Sequence, residues 1–280
     1  MTNYGRDGIW DAATWAEIDQ AVADQVKRLS IARRVFETVD LSAASGGAPS
    51  WISTAQIAGA PLNIPQGAAD PFVEISIPFE LTPAQVAAEA THHTARGLAC
   101  AAVRTLVQQE EQLIFGANPA PAPSAGGRPG GLAAGPPPLA VENIPAAAGV
   151  IAAQDLLNSV MAAVATLARR GWPDPYALIL DPGLFQVAVT EQLDPGRPET
   201  PADRFARRIH DYAVSGALPP NQGVLVSLAG DPLTIYLAHD VAAAFTGQPI
   251  GAVNPVYGFR VFERFQYVIT DLTGAVALQA

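Results

Sequence analysis

Residues 41–71 decide most of what this chain can become. Ser42-Ala-Ala-Ser-Gly-Gly-Ala-Pro49-Ser, Ile57-Ala-Gly-Ala-Pro61 and Ile64-Pro65-Gln-Gly67 mix turn formers with short apolar pieces. A connection of that length with no regular structure is uncommon inside a compact monomer. Yet Trp51, Ile52, Ile57, Leu62 and Ile64 give it too many large apolar groups for plain disorder. Both features are met if the segment is an extended arm that buries these residues on a neighbouring copy. The composition agrees. At 49% hydrophobic and 15% charged, with positive mean hydropathy, the chain suits a protein that covers much of its surface with copies of itself. An alanine-rich core would raise the same score.

Around this segment the periodicity is regular. Thr14-x-x-Glu17 reads as a capping box that opens a helix. Trp15, Ile18, Val22, Val26 and Leu29 follow at spacings of three and four, as one apolar stripe. The next positions on that stripe are Arg33 and Glu37, themselves i and i+4, so the apolar face is predicted to run into an ion pair. In the stretch 72–81, Val73, Ile75 and Ile77 alternate with Glu74 and Ser76, which predicts a strand, and Pro78 marks an edge or a bend. Thr82-Pro83-x-Gln85 starts a helical stretch that runs to about Phe115, with a break expected near Gly97.

The Pro-, Gly- and Ala-rich residues 118–138 read as a linker. A helix is predicted over 154–170, closed by Arg169-Arg170-Gly171. Trp172-Pro-Asp-Pro175 turns into a strand at 176–180, and Asp181-Pro182 starts another helix. Leu193 to Pro201 form a proline-stiffened loop before a helix through Phe205 and Ile209, and strands are expected at 224–228 and 233–237. From Gly258 the chain is rich in β-formers, and Asp271-Leu-Thr-Gly274 separates two strand-like runs expected to pair near strand 72–81.

The signals for chemistry are sparse. Net charge is −10, and Arg33-Arg34, Arg169-Arg170 and Arg207-Arg208 are scattered pairs rather than a basic run, which weighs against a chain that neutralises phosphates. With one cysteine, Cys100, no intrachain disulfide can form. No basic-then-apolar leader and no membrane-length apolar run is present, so a reducing cytoplasm is expected, with no membrane partner. His92 and His93 are adjacent, so on a helix their side chains diverge. A buried free thiol such as Cys100 is usually inert. His210 and His239 stand alone, and Glu110-Glu111 reads as a solvated or interface pair. No nucleophile elbow, phosphate loop or dinucleotide fingerprint occurs. The expectation is no catalytic residue, no metal site and no cofactor.

Four segments in order carry a resemblance. They are the helix Trp15–Val35, the strand Phe72-Val-Glu-Ile-Ser-Ile-Pro-Phe79, the helix end Gln109-Glu110-Glu111-Gln-Leu-Ile-Phe115-Gly116, and Gly258-Phe-Arg-Val-Phe-Glu-Arg-Phe-Gln-Tyr-Val-Ile269. In that order and spacing the chain resembles the encapsulins, bacterial shell proteins with the HK97-like phage-capsid fold. Gly127-Arg-Pro-Gly-Gly131-Leu132 looks like the glycine turn after their spine helix, with more flanking prolines than that pattern needs.

The resemblance implies an α+β chain. Its peripheral domain would be discontinuous, over 1–45, 72–135 and 250–280, with an extended loop at 46–71 and an axial domain at 136–249. It implies a homo-oligomeric icosahedral shell of about sixty copies, or a larger class, around a cargo enzyme held by that enzyme's C-terminal targeting peptide. The cargo groove would take Ile18, Val22, Val26, Leu29, Arg33 and Glu37, with Glu37 where relatives more often carry Asp. The loop with Leu193, Asp194, Arg197, Glu199 and Thr200 would frame a pore. Two other readings share some of these features. A phage or prophage major capsid protein has the same fold but accompanies DNA, and a soluble α/β enzyme would need a convergent site.

Overall fold

The computed structural model describes residues 5–6, 8–41, 72–116, 132, 139–147, 149–190, 199–247, 256–269 and 271–280. The segments expected to form an extended loop (46–71) and a glycine turn (127–131), and the expected pore residues Leu193, Asp194 and Arg197, lie outside the described residues.

The first helix, α1, spans Ala12–Leu29. Its N-cap is Asp11, whose carboxylate accepts the Thr14 N–H at 2.8 Å, rather than Thr14 itself. The aspartate three residues earlier reaches the same orphan donors and starts the helix a turn sooner. Trp15, Ile18, Val22 and Val26 are buried as the stripe predicts. Each such side chain contributes roughly 1.5–3 kcal/mol by leaving water.

The helix does not continue to Val35. It stops at Ser30, which is extended (φ −73, ψ 114), and a short second helix, α2, covers Ala32–Val35. Two side chains stabilise the break. Ser30 Oγ accepts the Arg33 N–H at 3.1 Å, and the Glu111 carboxylate accepts the Ile31 N–H at 2.7 Å. Both satisfy donors at the new helix start. Strand β1, Glu37–Asp40, follows directly.

Strand β2 is Val73–Leu81, with the burial alternation its sequence predicts. The expected capping box opens α3, Pro83–Ala87: the Thr82 hydroxyl accepts from Gln85 N and the Gln85 side chain accepts from Thr82 N. A one-turn helix α4, Glu89–His92, precedes the long helix α5, Thr94–Phe115. The break lies at His93, in the left-handed region (φ 51), and not at Gly97. Buried Glu89 fixes it, since its carboxylate accepts the N–H groups of Ala95 at 2.7 Å and Arg96 at 3.1 Å, doing the work of an N-cap.

The rest of the chain adds β3 (Ala140–Asn143), α6 (Ala153–Arg169), β4 (Tyr176–Leu180), α7 (Pro182–Thr190), α8 (Pro201–Phe205), β5 (Asp211–Val214) and β6 (Gln222–Ser227). It ends with two long strands, β7 (Leu233–Gly247) and β8 (Tyr257–Ile269), a 3₁₀ turn at Leu272–Gly274, and β9 (Ala275–Gln279). Asp181 starts α7 as expected, accepting from Gly183 N and Leu184 N, both at 3.0 Å.

Two sheets result. One has the order β1-β7-β8-β2, with β1 parallel to β7 and the other pairs antiparallel; the second has the order β3-β9-β6-β4-β5. The pairing crosses the expected domain boundaries. β7, placed with 136–249, pairs with β8 in the first sheet, and β9, placed with 250–280, pairs between β3 and β6 in the second. Only β8 returns to strand 73–81. The unbroken apolar run Ala275–Leu278 explains the place of β9, since a strand with both faces apolar belongs inside a covered sheet.

The main core lies between the first sheet and helices α1 and α5, with Leu106, Ile114, Ile235, Phe259 and Phe265 at its centre. The second sheet is buried on both faces. Ala177, Ile179, Val224 and Ala277 face that same core, while Leu178, Leu180, Leu225 and Leu278 pack with Leu156, Val160 and Leu184 of α6 and α7. This accounts for the unbroken apolar run of β4. At the other end Trp10 stacks on Phe259 with ring centroids 5.1 Å apart, and its indole N–H donates to Val86 O at 2.9 Å, which pins the approach to α1.

Candidate functional site: a guanidinium among carboxylates

Arg33 stands where α2, α5, β7 and β8 meet. Its Nε donates to Glu110 at 3.0 Å, its Nη1 to Asp240 at 2.8 Å and its Nη2 to Glu263. The Arg33 side chain is 12% exposed, those of Glu110 and Glu263 are fully buried, and that of Asp240 is 64% exposed. Burial alone would favour a neutral Arg33, but Glu110, Glu263 and Asp240 reverse this and hold it charged. Burial pushes Glu110 and Glu263 the other way, above the usual carboxylate range, against the pull of Arg33.

Asp240 sits in an irregular stretch of β7, between register shifts at Leu237/His239 and His239/Ala242, and also accepts the Val241 N–H at 2.7 Å. The bulge aims it at Arg33 while leaving it at the surface. His239 is beside it, its ring 4.9 Å from that of Phe262.

This geometry corrects the predicted Arg33–Glu37 pair. Glu37 is the exposed first residue of β1, in register with Thr234, because the helix ends at Val35 and the i, i+4 relation is lost. The stripe also divides. Ile18, Val22 and Val26 are 2%, 0% and 5% exposed, used up in packing against α5 and the sheet, while Leu29 is 36% exposed. The described structure thus brings Leu29, Arg33 and Glu37 near a surface, and leaves the other three as its support.

Glu110 and Glu111 correct another expectation, since neither is solvated. They diverge on α5 as consecutive helical residues must, but both directions lead inward. Glu110 goes to Arg33, and Glu111 goes to Ile31 N and to Ser215 Oγ, which donates to it at 2.8 Å. Both were legible. Val103, Leu106, Val107, Glu110 and Ile114 lie on one helical stripe, and Glu263 interrupts the apolar alternation Phe259, Val261, Phe265, Tyr267. A carboxylate at an apolar-face position calls for a buried cation. Asp240, on a bulge, left no such signal.

Ahead of α8, Glu199 accepts from Arg204 Nε at 3.1 Å and Nη2 at 2.8 Å, and pairs with Arg207 at 2.9 Å. Thr200 caps α8 in a box with Asp203. Helix α8 ends at Phe205, short of Ile209, and Ile209 is buried beside it. His92 and His93 are exposed at the α4–α5 corner, and Cys100 Sγ lies 3.7 Å from Ala21 O. Among the described residues no group of three or more His, Cys, Asp or Glu could hold a metal ion; at Arg33 the guanidinium itself supplies the positive charge. No described helix is long and apolar enough to cross a membrane.

The chain matches, over residues 8–256, the family model Linocin_M18, described as encapsulating protein for peroxidase. Its fold is similar to that of the virus-like particle from Pyrococcus furiosus, with TM-score 0.69 and 13% identity over 95% of this chain and 99% of that one. It is also similar to a structure from Mycobacterium phage Bobi, with TM-score 0.59 and 18% identity over 89% and 90% of the two chains. The capsid of the Myoviridae phage XM1 gives TM-score 0.52 and 9% identity over 82% and 81%. No curated protein matches. At these identities the structural likenesses establish the α+β phage-capsid fold, and the family model establishes the family.

Proposed function

Because this chain belongs to the family of encapsulating proteins for peroxidase and has the fold of a capsid shell protein, we propose that copies of it close into an icosahedral compartment around a cargo enzyme in the cytoplasm. The observation that carries this reading is the family match over 8–256. The fold alone is shared with phage capsids. The acidic balance of −10 favours a protein cargo over a packaged genome.

The C-terminal targeting peptide of the cargo docks, in this reading, at the end of α1. Leu29 offers an apolar contact there, Arg33 shows an edge beside exposed Asp240, and Glu37 is exposed at the start of β1. Ile18, Val22 and Val26 hold that helix from beneath. An extended peptide with an apolar anchor and a charged group suits such a surface, and many copies raise its avidity. Glu199 and Thr200, with Leu193, Asp194 and Arg197, frame a pore, and the shell itself performs no turnover.

The test is expression of the chain alone, with particle mass and the nucleic-acid-to-protein absorbance ratio measured together. Hollow, uniform particles of about sixty copies or an icosahedral multiple, free of nucleic acid, are expected. A monodisperse monomer or dimer overturns the shell, and DNA-filled particles turn the reading to a phage-type capsid.

A further inference from the structure

The charges around Arg33 do not balance, and two buried atoms show it. Glu110 and Glu263 each give one oxygen to the guanidinium. Their other oxygens, Glu110 Oε2 and Glu263 Oε1, are buried with no hydrogen-bond partner. With every group ionised, three carboxylates surround one cation. A buried carboxylate oxygen without a donor is costly, and two carboxylates on neighbouring nitrogens of one guanidinium repel each other. A single proton relieves both faults. It removes one of the two buried negative charges, and it turns one unmatched acceptor into an O–H donor with the other carboxylate in the same cluster to receive it.

We propose that Glu110 and Glu263 share one proton at neutral pH, and that this proton latches α2 to the core, so that its loss in alkali loosens α2 from α5 and β8. The groups facing the pair are few. Arg33 comes from α2 and carries Asp240 from β7. On α5 the neighbouring Glu111 spends its oxygens on Ile31 and Ser215. Arg34 turns away to Asp211 at 2.9 Å. On β2 the residue in register with Glu263 is Ile75, which is apolar. His239 lies half-buried against Phe262. Asp240, half in water, provides the route by which solvent reaches the cluster.

Burial raises both carboxyls above their ordinary range, and for Glu263 the charge of Glu110 adds to it. The linkage has a definite sign. The fold holds a proton that the unfolded chain has already released at neutral pH. The stabilisation is full below the ordinary carboxylate range and declines as pH rises from there through the raised folded value. This inference does not depend on what the shell encloses.

Infrared spectra of the assembled protein test it. The carbonyl stretch of a protonated carboxylic acid should be present at neutral pH, shift on ¹³C-glutamate labelling and disappear on alkaline titration. It should be lost in Glu263→Gln, which mimics the neutral form. The alkaline fall in melting temperature should shrink by about half or more in that variant, with titration releasing about one proton fewer per subunit than wild type. If Glu263→Gln fails to fold, Glu110→Gln carries the same comparison. Absence of the protonated-acid band from the wild type at neutral pH overturns the proposal. So does an alkaline fall of equal size in wild type and the folded variant.

Discussion

Glu111 on α5 accepts the backbone N–H of Ile31 at 2.7 Å, although the two lie eighty residues apart in sequence. One carboxylate thereby serves as the cap of a helix to which it does not belong, and with Ser215 on its other oxygen it ties the α1–α2 corner to the second sheet. Burial raises the Glu111 carboxyl while these hydrogen bonds lower it, the burial being larger.

Glu111→Ala should therefore leave the Ile31 N–H and the Ser215 hydroxyl without their acceptor. The expected loss is about 1–3 kcal/mol of stability, read by chemical denaturation. Glu111→Gln keeps an acceptor oxygen and should recover at least half of it. Equal losses for the two substitutions would mean that the charge, not the capping, is what matters.

Arg33→Ala should be far worse than loss of a surface charge. It strands Glu110 and Glu263 in the core, and breaking a buried pair of this kind costs about 3–5 kcal/mol. Melting temperature and yield of soluble particles should both fall. Asp240→Ala removes only the exposed arm of the cluster and should cost less than about 1 kcal/mol, with assembly intact.

These two substitutions show what the sequence could and could not tell. The capping box at Thr82–Gln85, the alternation of 73–81 and the helix near 154–170 depend on neighbours in the chain, and they read correctly. Arg33 and Glu37 looked like a helical pair because the stripe continues through them. What breaks it is Glu111, which becomes a neighbour only after folding. The same reason hid the sheet membership of β7 and β9, since strand partners are chosen across the molecule. Glu110 and Glu263 were readable as misfits on apolar faces, but not as partners of one arginine.

Leu29→Asp tests the proposed docking surface without touching the core, because Leu29 is at the exposed end of its stripe. Particles should form normally. Affinity for the cargo's terminal peptide should drop about tenfold, the worth of one good apolar contact near 1.4 kcal/mol, seen as reduced co-purification of cargo. Unchanged loading in intact shells would move the groove elsewhere.

Glu199→Ala addresses the proposed pore. Glu199 is held below the usual carboxylate range, first by its hydrogen bond from Arg204 and then by the charges of Arg204 and Arg207, so it is ionised at neutral pH and the pairing is lost only as pH falls through that lowered value. The substitution frees two arginines. Turnover of an encapsulated enzyme should rise for anionic substrates and stay level for neutral ones. No change for either would place this loop away from the opening.

Strand β9 sits between β3 and β6, with its residues contributed by 275–279. During synthesis the second sheet therefore cannot close until these residues have left the ribosome, since β3 and β6 have nothing between them before then. A chain synthesised only as far as β8 would carry an unfinished half. Without β9, β3 has no partner in the sheet and one edge of β6 is bare, so such an incomplete copy offers open strand edges to another.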